Sequence, residues 1–183
     1  MRGWRSIVLG AALLSLAACR SGAAPSAPAG ATMEELSVTS QSFGSRAAIP
    51  VDDSCDGADR SPQLTWSAPP PGTKSFAVVV EDPDASSGSF TQWIAYNLSA
   101  DTRSLPEAAD AATRGGASGL NDFKRPGYGG PCPPRLEIHH YAFRVFALNA
   151  QLDAGAEPNR DAMDAAMSGH VLAVGTLVGS FSH

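Results

Sequence analysis

Ser75-Phe76-Ala77-Val78-Val79-Val80-Glu81-Asp82 decides how the rest of the chain is read. Its β-branched centre loses side-chain freedom in a helix and packs well on a pleated surface, and eight residues are too few for a good helix. The stretch therefore predicts a buried strand that delivers an acidic pair into a loop marked by proline, Asp82-Pro83-Asp84. Upstream, Gln63–Trp66 and Glu35–Ser42 also read as strands, and Ala68-Pro69-Pro70-Pro71-Gly72-Thr73 is a rigid turn. Downstream, Trp93–Leu98, His139–Asn149 and Ala173–Phe181 continue the pattern, with a small-residue stretch from Ala108 to Gly119 expected to be a mobile loop. Pro158-Asn159 has the chemistry of a helix start, with Asp161 suited to the positive end of the dipole and Gly169 near the stop. Many strands, Gly and Pro turns and one late helix predict a mainly β fold, an antiparallel β-sandwich of two sheets with a few short helices.

Strand parity then gathers chemistry at one place, because alternate residues share a face. His139 and Tyr141 lie on the face continued by Phe143 and Val145, whereas His140 and Arg144 belong to the other. Asp82 ends the face begun by Phe76, Val78 and Val80, which sets a carboxylate at a sheet edge. In Tyr128-Gly129-Gly130-Pro131-Cys132-Pro133-Pro134, the glycines permit unusual backbone angles and the prolines freeze the remainder. An aspartate that fixes a histidine tautomer, a phenol and a glycine loop can together bind an anion. Taken singly, the same residues also read as a turn, a satisfied strand histidine and ordinary turn chemistry.

Length and charge bound the alternatives. The 183 residues allow one domain with a substantial core, and 18 acids against 13 Lys and Arg leave a charge of −5. Nucleic acid is therefore an unsuitable partner. Hydrophobic residues at 43%, with 18 Gly and 14 Pro, suit neither a disordered chain nor a polytopic membrane protein.

The N-terminus carries a separate message. Arg2 and Arg5 precede an apolar run from Ile7 to Ala18, and Leu16-Ala17-Ala18-Cys19 follows the pattern of an export signal with small residues at the cleavage point. It resembles the bacterial lipoprotein lipobox, which implies a signal peptide over residues 1–18 and lipidation of Cys19 by acyl chains such as palmitate. Several chains, at about 0.8 kcal/mol per buried CH₂, anchor stably where one does not. An ordinary secretory signal is the plainer reading of the same residues. Arg20 stands where an aspartate would mark inner-membrane retention, so the expected address is the outer membrane, facing the periplasm. The lipidated cysteine and a Ser/Gly/Ala/Pro tether occupy residues 19–33, and the folded domain residues 34–183. Lipidation would leave Cys55 and Cys132 in an oxidising space, where a disulfide is expected and two buried free thiols are the alternative. No His or Cys pair has zinc-site spacing, so neither a metal nor a cofactor is expected.

The stretch Asp56-Gly57-Ala58-Asp59-Arg60-Ser61-Pro62-Gln63-Leu64-Thr65-Trp66 resembles the opening signature of the phosphatidylethanolamine-binding protein family, in its bacterial, Raf kinase inhibitor-like branch. The resemblance extends through Pro71–Ser75, Glu81–Ala85, Gly127–Pro134, His139–Phe143 and Gly175–Gly179, in the family's order. It implies a two-sheet sandwich with a small anion pocket at one end. Carried over by motif, it implies that Asp82 and His139 are the pocket pair, Tyr141 the partner of the histidine, Gly130 and Pro131 the pocket wall, and Asp84 a support of the loop. There are departures too. Gln92 stands before Trp93 where the family usually has a second pocket histidine, and an amide can donate but cannot carry charge. Ser86 replaces a usual loop proline, and Arg135-Leu136-Glu137-Ile138 makes the spacer before His139 one residue longer, with Arg135 able to supply compensating charge.

Three function classes follow. The leading one is a non-enzymatic binding module, tethered to a membrane, whose pocket takes a small anionic ligand such as a phosphoryl group or a phospholipid head group. The second is an inhibitor of an envelope protease or, by the family's name, a kinase. The third is a hydrolase, disfavoured because no Gly-x-Ser-x-Gly elbow or activated nucleophile is present. With 18 acids and ten bases in the domain, anion binding must come from local geometry rather than long-range attraction.

Overall fold

The computed structural model describes residues 34–183; the expected signal peptide, Cys19 and the tether lie outside them. The β-branched stretch forms strand β4 (Ser75–Asp82), buried along its whole length. It sits between β5 (Phe90–Ser99) and β8 (His139–Leu148), and β9 (Val171–Phe181) pairs with the far side of β8. The sheet is completed by β1 (Glu34–Glu35) beside β9 and β7 (Ala117–Ser118) beside β5, giving the order β1-β9-β8-β4-β5-β7. A second sheet holds β2 (Val38–Thr39), β3 (Leu64–Trp66) and β6 (Ser104–Leu105), in the order β2-β3-β6.

The unbroken burial of β4 has a simple cause: both faces of the large sheet are covered. Phe76, Val78 and Val80 join Phe143 and Val145 in the core shared with Leu64, Trp66 and Leu105 of the small sheet. On the opposite face Ala77, Ile94 and Tyr96 pack with Met163 and Met167 of helix α1 (Arg160–Met167). The helix starts as its sequence dictates, with the Asn159 side chain accepting from the Ala162 amide at 3.0 Å. Glu81, on the helix side of β4, is buried and accepts from Arg144 and from Arg160 Nε, the latter at 2.8 Å, so one carboxylate ties α1 to the sheet.

Three expectations are refined. The strand expected over Glu35–Ser42 is two strands in different sheets, β1 in the large and β2 in the small, so this segment crosses between the layers. The crossing is close: a Cβ on Gly175 would stand 2.2 Å from the Leu36 carbonyl oxygen. The sandwich is not wholly antiparallel, because β1 runs parallel to β9. The expected loop from Ala108 to Gly119 carries a 3₁₀ turn (Ala111–Arg114), capped by Asp110, and then β7. Its small residues reflect tight packing, since a Cβ on Gly116 would lie 2.5 Å from the Tyr96 carbonyl oxygen. Among the described residues, no helix is long and apolar enough to cross a membrane.

Candidate functional site

Where β4, β5 and β8 end, a cavity of about 340 Å³ opens. β4 contributes Asp82, β5 contributes Phe90 and Gln92, and β8 contributes His139. Asp82 and His139 are both buried, and Asp82 Oδ2 lies 2.7 Å from His139 Nδ1. The other carboxylate oxygen accepts the Asp84 amide at 2.9 Å, so the Asp-Pro-Asp turn fixes the carboxylate that in turn fixes the ring. Nε2 faces Glu137 Oε2 at 3.1 Å. With a carboxylate on each ring nitrogen, the doubly protonated imidazolium satisfies both. Burial works against that charge, but the hydrogen bonds the ring donates to Asp82 and then to Glu137 outweigh it and raise the His139 pKa above its ordinary value. Stability from this pairing is therefore complete below the unfolded histidine's pKa and is lost as pH rises through the higher folded one.

Gln92 reaches the cavity through a β-bulge. Val80 pairs with Trp93 but Glu81 with Thr91, which leaves Gln92 as the extra residue. Strict alternation would send Gln92 to the face opposite Trp93; the bulge brings both inward. In the orientation that satisfies both ends of its amide, Gln92 donates to the carbonyls of Gly129 at 2.6 Å and Gly130 at 3.1 Å. Its N–H groups thus serve the glycine loop, while the residue itself lines the cavity.

The remaining candidates divide by position. Gly130 and Pro131 are buried but do not line the cavity; the wall is Cys132, Pro133 and Pro134. Tyr141 is fully buried, does not line it either, and its hydroxyl has no hydrogen-bond partner. Burial first, then the negative Asp82, drives the Tyr141 pKa upward, so the phenol stays neutral. Asp84 turns outward and accepts from the His140 amide at 2.8 Å and faces the His140 ring at 2.7 Å; these bonds lower its pKa. Arg135, the expected source of compensating charge, is exposed and absent from the lining, where Glu137 stands instead. Glu137 had no signal in strand periodicity because it lies in an irregular turn.

The Asp-Gly-x-x-x-Ser-Pro stretch proves to be a buttress for the wall. Asp59 Oδ1 accepts the Gly130 amide at 2.6 Å, its other oxygen binds Arg125 at 2.6 Å, and the Cys55 amide donates to the Pro131 carbonyl at 3.1 Å. Cys55 and Cys132 are joined in a disulfide, as expected. Gly130 allows the approach, since a Cβ there would be 2.4 Å from the Asp53 carbonyl oxygen. That carbonyl also accepts from the Tyr128 hydroxyl at 2.8 Å.

Asp53 itself carries an orphaned oxygen, Oδ2, in a nearly fully buried side chain. Burial, reinforced by Glu107 and Asp52 against Arg60, raises its pKa to about 6. The folded chain therefore holds this proton more tightly than the unfolded one, and stability falls as pH rises from about 4 to about 6. The Asp53→Asn protein is expected to gain about 2 to 3 kcal/mol relative to the parent between pH 4 and pH 7. Urea unfolding across that range checks this, and parallel stability curves would contradict it.

Two sheets closed over one core, with an end cavity built on a buried aspartate–histidine pair, define a β-sandwich with a candidate site at one end. Residues 39–182 match the family model for phosphatidylethanolamine-binding protein. A UPF0098 protein of Aquifex aeolicus is 42% identical over 160 residues, covering 83% of this chain and 90% of its own. A Mycobacterium tuberculosis protein with lipoprotein in its name, LppC, is 40% identical over 151 residues, covering 80% and 74%. The crystal structure of Escherichia coli YbcL, described as a member of the mammalian PEBP family, superposes with a TM-score of 0.76 at 31% identity, covering 81% of this chain and 99% of that one. The chain belongs to the phosphatidylethanolamine-binding protein family.

Proposed function

We propose that the cavity takes a small phosphoryl or other anionic group, a phospholipid head group among them, and that the domain is a non-enzymatic binding protein held at the cell envelope by lipidated Cys19. The observation that carries the reading is His139: a buried imidazole at the cavity whose Nδ1 is fixed by the buried Asp82 and whose Nε2 meets only the exposed Glu137 carboxylate, which an anionic ligand can replace. A fixed imidazolium donates a charge-assisted hydrogen bond to an anionic oxygen, which is stronger than a neutral one. Ser86 and Ser87 line the same cavity and can donate further, and Phe90 with Phe123, at 4.9 Å between ring centres, supplies an apolar flank. The envelope address is supported by Leu16-Ala17-Ala18-Cys19 and by the name of the mycobacterial relative.

The test is a calorimetric titration of phosphoethanolamine into the purified protein and into its His139→Ala variant. Saturable binding at millimolar ligand or below is expected for the parent, with at least a tenfold loss in the variant. A parent protein that shows no saturable binding at millimolar ligand overturns the reading.

A further inference from the structure

The charged groups lining the cavity are Asp82, Glu137 and His139, with no Lys or Arg among them. Asp82 is committed to Nδ1 and to the Asp84 amide, so Nε2 is the ring's one position open to an anion. That position already holds a carboxylate, Glu137 Oε2 at 3.1 Å. The two partners of the ring differ sharply in their surroundings: the Asp82 side chain is 6% exposed, that of Glu137 59%. Glu137 sits on a turn closed by its own amide to the Pro134 carbonyl at 3.1 Å, with Leu136 at φ 71°. Its neighbours Leu136 and Ile138 are 98% and 67% exposed, so they do little to hold the turn against the domain.

We infer that Glu137 is a built-in competitor, a carboxylate of the chain itself that occupies the anion seat on His139 and must leave before a ligand anion can enter. This rests on the anion-binding reading above and adds the residue that sets its affinity and selectivity. With Glu137 in place the three charged groups sum to −1, and a phosphoryl dianion beside them would meet net repulsion. Binding is therefore an exchange of one anion for another at Nε2, and only the difference between them appears as affinity. Another simple carboxylate gains nothing in that exchange. A tetrahedral phosphoryl group, with oxygens left over for the Ser86 and Ser87 hydroxyls, does gain.

The experiment titrates inorganic phosphate, phosphoethanolamine and acetate into the purified parent and into Glu137→Gln, which removes the charge while keeping the side chain's size. At least tenfold tighter phosphate and phosphoethanolamine binding is expected in the variant, and acetate, too weak to detect with the parent, should become measurable. The histidine ring signals in nitrogen NMR should also move toward the neutral form in the unliganded variant at the same pH. Equal affinities in the two proteins overturn the competitor role and leave the anion pocket standing. Weaker binding in the variant also overturns it, since Glu137 would then be holding the ligand. Absence of binding to both proteins overturns the competitor and the anion pocket together.

Discussion

Replacing both Cys55 and Cys132 by serine is expected to lower the free energy of unfolding by about 4 to 5 kcal/mol. The two positions are 77 residues apart, and in the chain-entropy treatment opening a loop of that length returns about this much freedom to the unfolded chain. The folded state loses order at one defined place as well. Cys132 is part of the cavity wall, and Cys55 donates its amide to the neighbouring Pro131 carbonyl, so the bridge and that hydrogen bond hold the same turn. Denaturant unfolding of the double variant, and of the parent with and without reductant, checks the magnitude. The reduced parent should match the variant, and a difference below about 1 kcal/mol from the oxidised parent would show that the unfolded chain is already constrained there.

Trp93→Ala is the second large effect, expected to cost about 3 to 5 kcal/mol as a large-to-small change in a closed core. Trp93 is 1% exposed, pairs with Val80 across the sheet and meets Tyr128 edge-on at 5.7 Å between ring centres. Its removal leaves Tyr128 without that contact, and Tyr128 is the residue whose hydroxyl reaches the Asp53 carbonyl beside the glycine loop. Guanidinium unfolding measures the loss. A cost under about 1 kcal/mol would mean that the surrounding side chains collapse into the space.

Much of this architecture is legible in the sequence because it rests on period-two alternation. His139, Tyr141, Phe143 and Val145 fall on one face of β8, and all four are buried there, whereas His140 and Arg144 turn to the acids of the opposite side. The helix start at Asn159 is equally readable, since the cap is a property of one residue and its next three neighbours. Legibility ends where periodicity does. Parity cannot place Gln92 in the cavity, because a bulge breaks the alternation just before Trp93. It says nothing of Glu137, which depends on a turn whose Leu136 adopts a left-handed backbone. Nor does any local rule join Glu81 to Arg160, since only the folded sheet and helix bring them together. The family resemblance points to Gly130 and Pro131 as the wall, whereas in the structure they lie buried behind it and the surface facing the cavity is made by the next three residues.

The outer strands β1, β7, β2 and β6 bear on how copies of this domain behave together. Among the described residues, each sheet terminates on both sides in a strand of two residues. An outer strand with a long row of free amides and carbonyls is a template on which another molecule can zip, and two residues provide too short a ladder for that. The outer strands of the described fold therefore offer another copy little ladder to extend, whatever the cavity holds.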